Sequence, residues 1–389
     1  MNNARNIKIA VLSEFESRHG GENSLLAVLP HLMQLGVRPI VIAPDSGPFA
    51  DCVRAFGIEV VDFRRTLADG TAFSQSESRD ALAEKICRIA PDLVHANSLA
   101  MGRLAGPVAS RLNIPGVAHL RDIVRLNRQA VADLNENSLL IAVSHATRDY
   151  HIAQGISPDK CHVVYNGIDQ TVFRFREPTG FLHRELGLPQ DAVLVGNIGQ
   201  IALRKGQLPL LLAMQQVVQV LPQAHLIVVG KRWSQKAETI EYERELHELA
   251  SSPPLQGHIH FLGVRHDVPA MMNELTVLLH GARQEPLGRV LLEAAASHVA
   301  VIATDVGGTS EIFDSHDSQH HHAAILIRDL ASKCTNDLAC EFAKYLTILL
   351  ASETLRNVLI NQANRIVNER FEAEKLAHSI YFHYTSLVE

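Results

Sequence analysis

The chain has 389 residues, 47% hydrophobic and 20% charged, a balance that excludes a disordered or fibrous protein. Its length exceeds one ordinary core and suits two domains of roughly 150 to 200 residues each. A net charge of −6, from 36 basic and 42 acidic residues, leaves no global electrostatic grip on nucleic acid.

The N-terminus, MNNARNIKIAVLS, reads as an opening β-strand, because its apolar run is short and broken by Lys8 where a secretion signal needs a longer one. Short β-branched runs then alternate with segments of 3.6-residue periodicity. IKIAVL is followed by a helical pattern over 22–35, PIVIAP by one over 51–56 and IEVVDF by one over 78–89. DLVHA, GVAHL, LLIAVS and CHVVY continue the strands, with helical patterns over 99–112 and 146–154. Strands apolar on both faces belong to a parallel sheet covered by helices. After Tyr165 the alternation pauses in a turn-rich stretch containing Asn166-Gly167, Pro178, Gly180, Gly187 and Pro189, the expected linker. It restarts with AVLVGNIG, HLIVVG, HIHFLG, VLLHG and VAVIAT, separated by helical patterns, and the tail from Asp337 is helical with a break near Phe371. The expected architecture is α/β, with two Rossmann-like domains whose parallel sheets face across a cleft, closed by C-terminal helices. Residues 1–175 form an N-terminal domain and 190–370 a C-terminal one, with the helix over 371–389 returning to the first.

No stretch reaches the roughly 18 apolar residues that a membrane span needs; the richest, 208–221, is broken by Gln215, Gln216 and Gln219. Five scattered cysteines, none spaced as CxxC, argue against disulfides or zinc and for a reducing, cytoplasmic compartment. Arginines 103, 111, 121, 125 and 128 face a single acid, Asp122, over that stretch. They read either as a solvated helical face or as a grip on an anionic partner, including peripheral contact with the inner face of the cell membrane.

Three segments carry chemistry. Gly20-Gly21 opens a helix beyond the first strand, where paired glycines let backbone amides approach a phosphate, although such pairs are common in these turns. GNIGQIALRKGQ places Gln200, Arg204 and Lys205 just before a helix. Cations there oppose the macrodipole unless an anion lies between them and the helix end; otherwise they are a solvated loop. In ARQEPLGRVLLEAAAS a helix is expected from near Pro286, with Glu293 the one carboxylate among alanines and leucines. Eight helical residues separate Glu285 from Glu293 by roughly 12 Å, beyond the roughly 5 to 9.5 Å of a glycosidase pair. The two acids therefore suit opposite ends of one elongated ligand. A phosphate would lie on the amides of Gly288, Arg289 and Val290, with Leu287 beside them as a further donor-binding candidate, a sugar beyond Glu285 and a ribose at Glu293. The alternative is one capping acid and one surface acid.

These residues, in this order, resemble the retaining GT-B glycosyltransferases of family 4. The resemblance covers nearly the whole chain, through the glycine pair with Glu22, IAVSHATRDYHIAQGISPDKCHVVYNGID, GQIALRKGQ, LIVVG, HIHFLGVRHDVPAMM, EPLGRVLLEAAA and VGGTSE. It implies a transferase that moves a sugar from a nucleotide diphosphate sugar, with uridine as the expected base, to a sugar, glycan or lipid-linked acceptor, and that needs no metal or other cofactor. By the resemblance, Glu285 contacts donor-sugar hydroxyls, Glu293 the ribose, Lys205 the pyrophosphate and Gly20-Gly21 the donor phosphates. The catalytic candidates are His119, Lys205 and Glu285. His119 ends the strand GVAHL on the acceptor side, with Arg121 beside it and His95 the lesser candidate at the end of DLVHA. Gln200 stands where the family often has arginine, Thr276 where it has aspartate, and SHVAVIA replaces its Gly-x-Pro-Val-Val segment. The tract HDSQHHH over 316–322 could bind metal, though a polar histidine loop needs none. A nucleotide-sugar epimerase and a non-catalytic sugar-nucleotide-binding subunit are the rival readings.

Overall fold

Strands apolar on both faces assemble here into two separate parallel sheets. The structure, a computed structural model, describes residues 6–66, 71–313 and 323–389. It divides into two compact units, one of residues 1–167 with 371–389 and the other of 168–370. The first holds β1 (Ile7–Leu12), β2 (Val37–Ala43), β3 (Glu59–Asp62), β4 (Leu93–Ala96), β5 (Gly116–Leu120), β6 (Leu139–Ala142) and β7 (Cys161–Val163), in the order β3-β2-β1-β4-β5-β6-β7. The second holds β8 (Val193–Ile198), β9 (Ala224–Val229), β10 (Ile259–Gly263), β11 (Val277–His280), β12 (Ala300–Thr304) and β13 (Ile325–Ile327), in the order β10-β9-β8-β11-β12-β13. In both sheets the order reverses beside the first strand of the unit. That switch point, at the carboxyl ends of the strands, is where such sheets bind ligands.

In the first unit the helix Gly20–Gln34 buries Leu25, Val28, Leu29 and Leu32 against one face of the sheet. The C-terminal helix Ala373–Val388 packs on the same core through Leu376, Ala377, Ile380 and Tyr384. Full burial of each such leucine or isoleucine stabilises by about 1.5–3 kcal/mol. In the second unit Leu210, Leu211, Met214 and Val217 of the helix Gln207–Val220 share a core with Phe342 and Leu346 of the helix Thr335–Ala351.

Several expectations are corrected. The first unit ends at Gly167 rather than 175. The turn-rich stretch belongs to the second unit because Phe173 is buried, Phe175 stacks on His298 at 5.2 Å between ring centroids, and Arg176 N donates to Asn273 Oδ1 at 2.7 Å. That stretch also contains a short helix, Phe181–Leu186, whose preceding Thr179 and Gly180 amides donate to the Glu274 carboxylate. The helix Arg128–Asn135 and strand β13 were not anticipated, and the C-terminal helical tail breaks at Ser352 as well as near Phe371. The five arginines do not share one helical face. Arg103 and Arg111 lie on Leu99–Arg111, Arg121 and Arg125 follow β5, and Arg128 opens the next helix.

Gly206, with φ of +61°, joins the loop after β8 to its helix, and a Cβ there would lie 1.8 Å from the Gly281 carbonyl oxygen, just beyond β11. Arg283 N donates to Arg204 O at 2.8 Å beside it. The two loops are thus clamped backbone to backbone. Gly257, at φ of +86°, has nothing within 4 Å of its Cβ position. Gly257→Ala should therefore cost only the left-handed backbone penalty, about 1–2 kcal/mol. Gly206→Ala should cost at least twice that and weaken any ligand held by the clamped loops. Guanidinium unfolding followed by the fluorescence of Trp233, the chain's one tryptophan, measures both; equal costs would contradict the clamp.

Candidate functional site

In the second unit the clamp brings Lys205, on the short 3-10 turn Leu203–Lys205, against Glu285 in the loop after β11. Lys205 Nζ donates to Glu285 Oε2. The same oxygen accepts from Nε2 of His280, the last residue of β11, at 2.9 Å. Glu285 is buried, which alone would raise its pKa; the ammonium of Lys205 and the His280 hydrogen bond outweigh that and hold it well below the usual carboxylate range. Burial dominates at His280 and lowers its pKa, so the ring is a neutral donor at neutral pH. Oε1 of Glu285 has no partner among the described residues and is free to accept from a ligand.

The expected helix from Pro286 starts later, at Arg289, because Gly288 at φ of +104° caps it in a conformation no α-helix contains. Glu285 consequently lies in the loop, its carbonyl accepting from Gly308 N at 3.0 Å. The spacing estimate along one helix therefore does not apply. Glu285 still sits at the helix mouth, since its Cγ is 3.4 Å from where a Cβ on Gly288 would stand. The first amides of Arg289–Ala296 have no intrahelical acceptor and, with the macrodipole, favour an anion. Leu287 is buried and contributes backbone only. Glu293 finds its partner one turn earlier in Arg289, whose Nε lies 2.8 Å from its Oε1. Burial raises the Glu293 pKa, against the pull of Arg289. Arg204 and Gln200 are at the rim of this cluster, with Arg204 Nη2 donating to Gln200 Oε1 at 3.4 Å.

In the first unit His95 of β4 is in register with Val117 of β5, so His119, two residues on, faces the same side and the rings meet at 4.8 Å between centroids. Tyr384 of the C-terminal helix covers them, its hydroxyl hydrogen-bonded to His95 Nδ1. His95 Nε2 lies 2.8 Å from His119 Nδ1, and Arg121 Nη2 lies 3.3 Å from that same atom. A guanidinium only donates, so His119 Nδ1 accepts. His95 Nε2–H then donates to it, and the Tyr384 hydroxyl donates to His95 Nδ1. The relay leaves His119 as the Nε2–H tautomer. Burial, with the guanidinium of Arg121 adding to it, pushes the His95 pKa down to about 3. Burial, Arg121 and His95 also hold His119 well below its ordinary value. His119 thus offers a neutral N–H donor. Arg121 is held by Asn97 O at 2.8 Å, Asn97 Oδ1 at 2.9 Å and Asn166 Oδ1. Gly21 lies beside it, a Cβ there standing 3.3 Å from Arg121 Cδ, and Gly20 opens the same helix.

The expected residues therefore gather at two switch points. Gln200, Arg204, Lys205, Glu285, Gly288, Arg289, Val290 and Glu293 surround the ends of β8 and β11, while Gly20, Gly21, His95, His119 and Arg121 surround those of β1, β4 and β5. Sequence reasoning missed His280, Arg289 as the partner of Glu293, Tyr384, Asn97 and Asn166. The histidine tract over 316–322 lies outside the described residues. Among the described residues no three metal-ligating side chains converge, and no helix is long and apolar enough to cross a membrane.

Residues 18–172 match the sequence family described as glycosyltransferase family 4, and residues 179–366 the family described as glycosyl transferases group 1. The chain belongs to this family of GT-B glycosyltransferases. It is 28% identical to the alpha-maltose-1-phosphate synthase of Mycolicibacterium smegmatis over 201 residues, 48% of this chain and 51% of that protein. The match thus spans about half the length of that curated relative. It is 27% identical to a GDP-mannose-dependent alpha-mannosyltransferase of Mycobacterium tuberculosis over 334 residues, 80% of this chain and 82% of that one. Anabaena HepE, solved with UDP-glucose, superposes with a TM-score of 0.80 at 23% identity, covering 98% of this chain and all of that one, a likeness of fold.

Removing the relay's outer donor should release the tautomer. In Tyr384→Phe His95 loses its Nδ1 partner, so its imidazole 15N shifts should change from a pure Nε2–H pattern to a mixture, whereas His119 keeps Nε2–H because Arg121 still donates to its Nδ1, with the fold retained by circular dichroism. Unchanged His95 shifts would contradict the relay.

Proposed function

We propose that the protein is a retaining, metal-independent glycosyltransferase that moves a sugar from a UDP-sugar to a hydroxylated acceptor in glycan or glycoconjugate synthesis. The observation that carries this reading is the buried Lys205, Glu285 and His280 cluster beside the N-terminus of Arg289–Ala296, at the switch point of the second sheet. Breaking the bond between sugar and diphosphate places negative charge on the departing phosphate. Lys205 keeps two N–H donors beyond the one given to Glu285, and with Arg204 and the helix amides they stabilise that charge in place. Glu285 Oε1 accepts from a donor-sugar hydroxyl, and the fixed carboxylate holds the sugar in register. Glu293 accepts from the ribose. His119 supplies an N–H donor and no base at neutral pH, in keeping with chemistry driven by the leaving group. Uridine is supported by the complexes of HepE, with guanosine the competitor named by the mycobacterial relative. The five free cysteines fit a cytoplasmic setting.

Calorimetry with UDP and turnover with UDP-sugars separate the two glutamates. Glu285→Gln should leave UDP affinity within about twofold while cutting turnover at least a hundredfold. Glu293→Gln, which keeps an acceptor for Arg289, should weaken UDP about tenfold, or about 1.4 kcal/mol. Equal effects of the two, or stronger binding of GDP than UDP, would contradict the respective assignments.

Turnover should be complete in excess EDTA. Loss there, restored by manganese or magnesium, would show that a cation and not Lys205 neutralises the diphosphate.

A further inference from the structure

A second feature of the first unit lies beyond the relay. A hollow of about 390 Å³ opens at the carboxyl ends of β1, β2 and β3, lined among others by Glu14, Phe15, Glu16, Phe63, Arg64 and Arg65. Its volume falls within the roughly 300–1,000 Å³ of small-molecule sites. Met101, on the helix after β4, brings one wall to the place where the strand order reverses.

The charges in this hollow are already committed. Arg64 Nη1 donates to Glu16 Oε1, its Nη2 lies 3.1 Å from Asp45 Oδ1 and donates to Ser46 Oγ at 2.9 Å, and its Nε lies 3.2 Å from Asp62 Oδ1. Every guanidinium nitrogen of Arg64 thus faces a carboxylate. Arg65 Nη1 lies 3.6 Å from Glu14 Oε1. The lining itself holds two cations, Arg64 and Arg65, and two carboxylates, Glu14 and Glu16, while Asp45 and Asp62 engage Arg64 from outside the lining. A phosphate entering here would find no uncommitted cation at Arg64 and would have to displace an existing carboxylate to reach it. A sugar without charge meets the opposite situation. The second oxygens of Glu14 and Glu16 have no partner among the described residues and accept from hydroxyls, which carboxylates bind more strongly than neutral acceptors do. Phe15, with 44% of its surface exposed, presents an apolar face suited to the C–H side of a pyranose ring. Burial, the largest influence, raises the Glu14 pKa, so a donor that relieves its desolvation is favoured over another anion.

We propose that this hollow receives the acceptor and selects an uncharged, polyhydroxylated sugar over its phosphorylated counterpart. The word acceptor rests on the transferase reading above; the selection by charge does not. It departs from the expectation that arginines 103 to 128 hold an anionic acceptor. Of those, Arg111 is paired with Asp80 at 3.2 Å and Arg121 is occupied by Asn97 and Asn166.

The test is saturation-transfer NMR on the full chain without donor, using the methyl glycosides of glucose, galactose, mannose and N-acetylglucosamine and their 6-phosphates. At least one neutral glycoside should receive saturation, with its 6-phosphate bound at least tenfold more weakly. Phe15→Ala should abolish the transfer. Glu16→Gln, which removes one negative charge from the hollow, should strengthen the 6-phosphate at least fivefold. Phosphates binding as well as neutral glycosides, no transfer to any neutral glycoside, or neutral binding unchanged in Phe15→Ala would each overturn the proposal. Thermal midpoints within a few degrees of wild type certify that the variants fold. UDP calorimetry on the same samples keeps the two readings apart. Normal UDP binding without glycoside binding sinks the hollow alone, whereas glycoside binding without any UDP or UDP-sugar binding sinks the transferase reading.

Discussion

The backbone contact of Gly206 with the Gly281 carbonyl is the constraint on which the second unit's chemistry depends. Adjacent parallel strands bring their loops out at the same end of the sheet, but not close enough in themselves to join a lysine on one loop to a carboxylate on the other. Omitting a Cβ at Gly206 allows the last ångströms of approach. Glu285 can then stay ionised although buried, because Lys205 and His280 converge on one of its oxygens. An isolated buried carboxylate would instead take up a proton, since desolvation costs several kcal/mol per ion in practice. Commitment of one oxygen leaves the other without a partner among the described residues, so a structural ion pair and a ligand acceptor coexist in one side chain.

The first unit meets a similar demand by the opposite electrostatic route. Its buried histidines cannot carry charge, because burial and the guanidinium of Arg121 both disfavour it. Direction is supplied by a chain of neutral donors instead. The pairing of β4 with β5 sets the two rings on one face, the C-terminal helix contributes Tyr384 from the far end of the chain, and Arg121 fixes which nitrogen of His119 accepts. The same unit sets its hollow apart from anions by saturating Arg64 with carboxylates. Both devices use hydrogen-bond commitment rather than net charge to decide what a ligand meets.

Much of this was legible in the sequence, because apolar runs on both faces and the turn residues between them report sheet strands by a local rule. The expected glycines, Lys205 and the two glutamates were legible by their positions at strand ends and helix starts. What escaped were partnerships. Tyr384 reaches His95 across 289 residues, which no local period encodes. Arg289 is readable in principle, since an acid and a base four apart share a helix face, but the proline signal puts the helix start at Pro286, whereas the left-handed Gly288 delays it to Arg289. His280 stands next to last in VLLHG as His119 does in GVAHL and His95 in DLVHA, so the same strand-end signal identifies it. Arg128–Asn135 carries little local signal because RQAVADLN has too few large apolar residues to announce a helix; its burial comes from Ala130, Asp133 and Leu134 packed against the helix Leu99–Arg111.

The central claim is that Oε1 of Glu285 and the first amides of Arg289–Ala296 hold opposite ends of one nucleotide diphosphate sugar. A crystal structure with an intact UDP-sugar addresses it most directly. A sugar hydroxyl within hydrogen-bond distance of Glu285 Oε1, with the diphosphate on the amides of Gly288 to Val290 and beside Lys205, is the predicted result. A diphosphate bound elsewhere in the second unit, or a sugar with no contact to Glu285, would contradict it.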